Sequence, residues 1–154
     1  MPNPHKQGGW ASHLEYGANR PIFVQGDTAD SVWFLQHGEV KLAVTSQQGK
    51  EAIVSVLGDN EFFGDGCLAG QPLRISKASA VTDCTLYRIE KALMVRLLHE
   101  QLGISEWFIT HLLTRNTRFE EDLVDQLFTP AKSARREFYY CWRILARKAE
   151  PKAE

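Results

Sequence analysis

The sequence predicts a mainly antiparallel β fold, a barrel or roll, followed by helix. Three observations carry this. Short β-rich segments of five to seven residues recur between about Pro21 and Ile89, punctuated by glycine every 10 residues or so. Strands never alternate with helices there, which argues against a parallel α/β sheet. After Glu90 the apolar period lengthens from two to that of a helix.

Taken in order, Trp10 to Leu14 reads as a helical turn or lead-in, and the strand-like pattern starts at Tyr16. Pro21–Gln25 is short and β-rich, and Gly26-Asp27 turns the chain. Ser31–Gln36 is the next strand, broken by His37-Gly38. Glu39–Thr45 alternates, with Val40, Leu42 and Val44 on one face. Ser46–Lys50 is a loop and Glu51–Leu57 returns, so the pair reads as a hairpin. Gly58-Asp59-Asn60 turns again. After the segment that follows, Lys77–Val81 and Cys84–Ile89 are two more strands.

Leu93, Met94, Leu97 and Leu98 share one face of a helix over Glu90–Glu100. Gly103 is expected to interrupt it, and a longer helix runs from about Ile104 to Phe128. Ile109, Leu112, Asn116, Phe119 and Leu123 step by 3, 4, 3 and 4, a coiled-coil seam with one polar member. Such a stripe can simply pack on the roll. A 25-residue helix exceeds what a small roll needs as cover, and a single Asn can set register, so the expectation is symmetric dimerisation through these five residues.

Composition excludes several classes. The net charge of −1 gives no global attraction to nucleic acid or an acidic membrane. Residues 129–154 are the exception: seven Lys/Arg against three Glu make that tail about +4 and leave about −5 for the rest. Cys67, Cys84 and Cys141 are odd in number, far apart and without C-x-x-C spacing, which argues against a disulfide framework, a structural zinc or an iron–sulfur cluster. His5, His13, His37, His99 and His111 show no metal-ligand spacing, and His37 reads as a turn histidine. No apolar run reaches the roughly 18 residues a membrane span needs, and Met1–Gly9 lacks the apolar core of a signal peptide. A cytoplasmic protein is expected.

The stretch between the two groups of strands, Phe62 to Arg74, is the candidate site. It holds closely spaced glycines, one carboxylate and, nine residues after Asp65, an arginine. Glycines let the backbone turn tightly and bring its amides near a ligand. Amides opening a helical turn attract an anion, and arginine clamps phosphate. The stretch reads as a seat for a small phosphorylated ligand; from residue types alone, Asp65 and Arg74 serve equally well as a salt bridge or cap on the roll.

The order of these features over Leu14 to Phe128 resembles the effector domain of the Crp/Fnr family of bacterial transcription regulators. Ile22–Asp27 is similar to the family's first glycine turn and Trp33–Val40 to its second. Gly58-Asp59 and Phe62–Asp65 are similar to the approach to its phosphate-binding cassette. Arg74 with Ala78, Ala80, Thr82 and Cys84 is similar to the cassette's arginine and following strand. The resemblance implies the cyclic-nucleotide-binding fold, an antiparallel double-stranded β-roll of jelly-roll type, with a C-terminal dimerisation helix. It implies a cyclic nucleotide such as cAMP as effector and no enzyme activity. Gly64, Gly66, Cys67 and Leu68 would then give backbone contacts, Asp65 would take the ribose hydroxyl and Arg74 the phosphate, with Phe63 and Ile75 flanking. Three features depart from the family pattern, at four positions: Asp65 stands for the usual glutamate, Ile75 for a hydroxyl residue, and Phe119 and Glu120 for the Thr-Ser pair that meets adenine in cyclic AMP receptors.

The domain organisation expected is a roll over 1–103, a dimerisation helix over 104–128 and a basic tail over 129–154. The family continues into a helix-turn-helix domain of about 70 residues, and only 26 follow Phe128, so DNA is read only if such a domain is intact. Arg135–Arg147, rich in bases and aromatics, reads as a loosely docked helix, with contact to nucleic acid as the alternative. Shifting the codons of Phe138–Trp142 one base toward the 5′ side gives Ile or Val and then four Leu, similar to the family's first DNA-binding helix. The tail is therefore expected to be a truncated or frameshifted start of that domain. Two other readings are a degenerate roll that serves only in dimerisation and a cupin-like enzyme, for which the strands offer only His37, Glu39 and Glu51.

Overall fold

The computed structural model describes residues 11–128. The readings of Trp10, Cys141 and the 129–154 tail lie outside these residues. The chain divides into two compact units, the first ending at His111 and the second starting at Leu112.

The first unit is built on eight described strands: β1 (Ser12–Tyr16), β2 (Pro21–Phe23), β3 (Ser31–His37), β4 (Val40–Thr45), β5 (Glu51–Leu57), β6 (Glu61–Phe63), β7 (Lys77–Ala80) and β8 (Cys84–Glu90). They form two four-stranded sheets, ordered β1-β8-β3-β6 and β2-β7-β4-β5. Every strand pair is antiparallel. Helix α1 (Lys91–Glu100) and the long helix α2 (Leu102–Phe128) follow, so the double-stranded roll with a long C-terminal helix is the fold.

Strand β3 explains how the sheets cohere. Ser31 to Leu35 are all buried, so both faces of the strand are covered. Trp33 and Leu35 turn inward and join Phe23, Val40, Phe63 and Leu86 in the core between the sheets. Phe34, on the other face, lies against Phe62, Tyr87 and Trp107. A strand buried on both faces reads as a continuous apolar run, as this one does.

Four expectations need correction. The lead-in is a strand, β1, paired along its length with β8, and it ends where the sequence pattern was expected to begin. In β4 the register shifts between Leu42 and Ala43, and Ala43 is buried, so one inward face does not run through Val44. A bulge inserts a residue and breaks alternation. The helices are separated at Gln101, whose backbone is extended (φ −118°, ψ 92°), and not at Gly103. Gly103 sits in the first turn of α2, which therefore starts at Leu102 instead of Ile104. There the amides lack intrahelical partners in any case, and the Gln101 carbonyl accepts from the Ile104 and Ser105 amides.

Candidate functional site

The cassette starts where β6 ends. Gly64 adopts φ 71°, a left-handed conformation that side chains disfavour. It opens a five-residue 3₁₀ turn, Asp65–Ala69, which Gly70 closes at φ 88°. The Gly70 amide donates to the Cys67 carbonyl and the Gln71 amide to that of Gly66. Cys67 is fully buried and anchors the turn; burial pushes its thiol up, against the opposing charges of Arg74 and Lys91.

The chain then runs antiparallel to residues 24–29. The Gly26 amide donates to the Arg74 carbonyl (2.8 Å), and the Arg74 amide to the Asp27 carbonyl (2.7 Å). Thr28 bridges to Leu73. With Arg74 pinned on both backbone groups, alternation decides the side chains. Leu73 and Ile75 face solvent, Ile75 at 64% exposure, while Arg74 turns inward at 6%.

The Arg74 guanidinium is surrounded by its own chain. Nη1 donates to the Gly64 carbonyl at 2.8 Å. Nη2 donates to the Ser31 carbonyl at 2.6 Å and to its hydroxyl at 3.1 Å. The group lies 4.5 Å over the Phe23 ring, a cation–π contact. Its Nε is buried with no hydrogen-bond partner. A Cβ on Gly64 would meet Nη1 at 2.7 Å, so this glycine is also required for close approach. Burial lowers the Arg74 pKa below the usual arginine range; Cys67, Asp30 and Asp27 oppose that shift and Arg88 adds to it. The group remains a cation at neutral pH.

A second arginine shares this corner. Arg88, on β8, donates from Nη2 to Asp30 (2.8 Å) and from Nε to the Ser31 hydroxyl (3.2 Å). That hydroxyl donates to Asp30 at 2.9 Å. Asp30 stands 4.0 Å from Arg74. Burial alone would raise the Asp30 carboxyl; the hydrogen bonds from Ser31 and Arg88, with the Arg88 charge, outweigh it and hold it below its ordinary value.

Of the residues singled out from the sequence, Gly64 and Arg74 are in direct contact. Asp65, Gly66 and Leu68 lie half-buried in the turn, and Gln71 closes over Gly66. Phe63 belongs to the core, 6.0 Å from Phe23 and 6.2 Å from Trp33, ring to ring. Ile75 faces solvent. Sequence reasoning missed Ser31, Asp30 and Arg88. Their signal was a serine opening an apolar strand and a charged residue inside another, both of which need partners when buried.

On α2, Ile109, Phe119 and Leu123 are exposed, Leu112 is half-buried, and Asn116 is exposed with its amide donating to Glu120 at 2.8 Å. Leu113, Val124 and Leu127, outside the expected seam, are exposed as well. Among the described residues no group of three His, Cys, Asp or Glu is placed to hold a metal, and no helix is long and apolar enough to cross a membrane.

Comparison with known proteins fits this geometry. The cyclic AMP receptor protein of Thermus thermophilus is 29% identical over 88% of this chain and 62% of its own. A CRP-like cAMP-activated global transcriptional regulator of Mycobacterium tuberculosis is 22% identical over 75% of this chain and 52% of its own. The chain thus spans about half to three-fifths of the length of these relatives. The crystal structure of the Thermus thermophilus catabolite activator protein superposes with a TM-score of 0.64, at 26% identity, over 92% of this chain and 65% of its own. Residues 13–101, the strands and cassette just described, match the cyclic nucleotide-binding domain, and the chain belongs to that family, in its Crp/Fnr group.

Proposed function

We propose that this chain is the ligand-sensing and dimerising part of a cytoplasmic, non-enzymatic Crp/Fnr-type transcription regulator. It takes a small phosphorylated effector, a cyclic nucleotide such as cAMP, at residues 63–75 and passes the signal along α2 to a partner copy. DNA is read by a helix-turn-helix domain, where an intact one is present. The observation that carries this is the buried Arg74 guanidinium under the Gly64–Gly70 turn, with Nε lacking an acceptor. A buried polar group without a partner is costly, and an anionic oxygen is what would complete it. In the mechanism, the effector's phosphate takes Arg74, its ribose hydroxyl takes Asp65, and the ordered cassette biases paired long helices between two arrangements.

Titration calorimetry with cAMP and cGMP on the full chain tests the reading. Saturable heat with one of them, reduced at least about 100-fold in affinity by Arg74→Ala, is the expected result, the size of a lost charged hydrogen-bond pair. A second reading has its own observation. Nη1 and Nη2 of Arg74 are already bonded to Gly64 and Ser31, and an exposed Ile75 offers no hydroxyl. No heat with either nucleotide, for wild type or variant, favours a roll that acts only as a dimerisation module.

A further inference from the structure

Asp30, Ser31 and Arg88, none of which the phosphate is proposed to meet, form one corner with Arg74. Two guanidinium groups here share one close carboxylate. The Ser31 hydroxyl, 1% exposed on its residue, is the junction: it gives its proton to Asp30 and accepts from both arginines. The carboxylate is committed to Arg88 at 2.8 Å and reaches Arg74 only at 4.0 Å. Asp27, the other acid whose field reaches Arg74, accepts from the Val24 amide at 2.9 Å. Arg74 is thus bound mainly through carbonyl oxygens of its own chain, Gly64 on one side and Ser31 on the other.

We propose that Ser31, with Asp30 and Arg88, is a positioning set that holds Arg74 on the protein's own carbonyl groups, so that an anion can meet the open Nε directly but gains the two Nη groups only by exchange. The proposal rests on the ligand-sensing reading for its choice of anion. Its consequence is that effector affinity is set partly on β3 and β8, in residues that never touch the effector. Arg88 has a definite sign in this arrangement. It draws Asp30 and half of the Ser31 hydroxyl away from Arg74 and so keeps the hold weak. Without Arg88, Asp30 is free to pair with Arg74 and the hold tightens.

The test uses the full chain and four variants, with cAMP as the calorimetric probe. Ser31→Ala releases one hydrogen bond on Nη2 and should bind cAMP roughly fivefold more tightly; Asp30→Asn removes only the carboxylate's attraction at 4.0 Å and should also tighten binding, by less. Arg88→Gln should bind it roughly fivefold more weakly. Arg74→Ala is the null for binding. A merely structural cluster would weaken binding in all three, in step with a lowered Tm, and that pattern overturns the proposal. Nitrogen-15 spectra of the arginine side chains read the hold directly. The Nη hydrogens of Arg74, identified by their loss in Arg74→Ala, should be separate in wild type because the guanidinium cannot rotate. They should exchange with one another faster in Ser31→Ala, where only the two carbonyl bonds remain; merged signals in wild type also overturn the proposal. If wild type gives no heat with cAMP or with cGMP, the sensing reading fails by itself. Inorganic phosphate, titrated against the Arg74 Nε signal, then decides the exchange alone: the shift should come at lower phosphate in Ser31→Ala than in wild type, and equal midpoints sink it.

Discussion

At the scale of single residues, Gly64 and Asp30 make the sharpest cases. Gly64 is required twice, for its left-handed φ and for the 2.7 Å that a Cβ would leave to Nη1 of Arg74. Gly64→Ala should cost about 2 kcal/mol, since strain of ~1–3 kcal/mol attends such a backbone and the obstructing nitrogen is itself bonded. Urea unfolding checks it; a variant as stable as wild type would mean the turn relaxes freely. Asp30 carries a pH signature. Its folded-state pKa lies below the ordinary 3.8, so its contribution to stability is present above that value and is lost as the pH falls through the lower folded-state value. Melting between pH 5 and pH 2 should show wild type losing more stability than Asp30→Asn; parallel curves would contradict the pairing. The carboxylate is half exposed, so the effect is small. In the sequence, the glycine turn and Arg74 were legible because residue type alone restricts what they can do. Ser31 and Arg88 were not, because their meaning comes from strands 57 residues apart in the chain being neighbours across a register.

At the scale of elements, the strands were legible by alternation and punctuation, and the failures share a cause. β1 is short and half-buried, so its pattern is weak until β8 pairs with it. The β4 bulge cannot be seen from one strand, since it is a property of two. Gly103 marks no break because a helix's first turn tolerates glycine, whereas the extended Gln101 breaks the chain without any marker residue. The joint between roll and helix is aromatic. Phe62 meets Trp107, Phe108 and His111 on the first turns of α2, with ring centroids 4.9, 5.1 and 5.7 Å away. The His111 Nε2 donates to the Phe62 carbonyl at 3.3 Å. Phe62 directly precedes the cassette, so this joint ties the start of α2 to the strand that enters the candidate site. Phe62→Ala should cost about 3–5 kcal/mol through the cavity and lost contacts. Hydrogen exchange should show the amides of residues 104–111 losing protection before those of β3. Uniform loss, or a cost below about 1 kcal/mol, would show that the helix start is held by other contacts.

At the scale of the whole molecule, α2 carries an exposed apolar stripe that calls for a cover. Ile109, Phe119 and Leu123 follow the expected seam, and Leu113, Val124 and Leu127 widen it, so the helix past His111 carries more exposed apolar surface than a single seam. Isolated apolar residues on a surface need no explanation, but a repeated band along one helix does. Under the proposed function a partner copy covers this band, with Asn116 as its polar member. The pairing makes two separable predictions. Leu123→Lys puts a charge in each half of the seam and should shift sedimentation toward the monomer, weakening association by at least about 100-fold if two buried leucines are lost. Asn116→Ile should act in the opposite direction, tightening association while admitting species larger than the dimer, because a buried Asn selects register and number at a cost in stability. Its present bond to Glu120 is within one helix and is available for exchange across a seam. A solution mass unchanged by Leu123→Lys would remove this stripe from the interface. A monomeric wild type would remove the dimer itself, and with it the means by which an ordered cassette could reposition two helices.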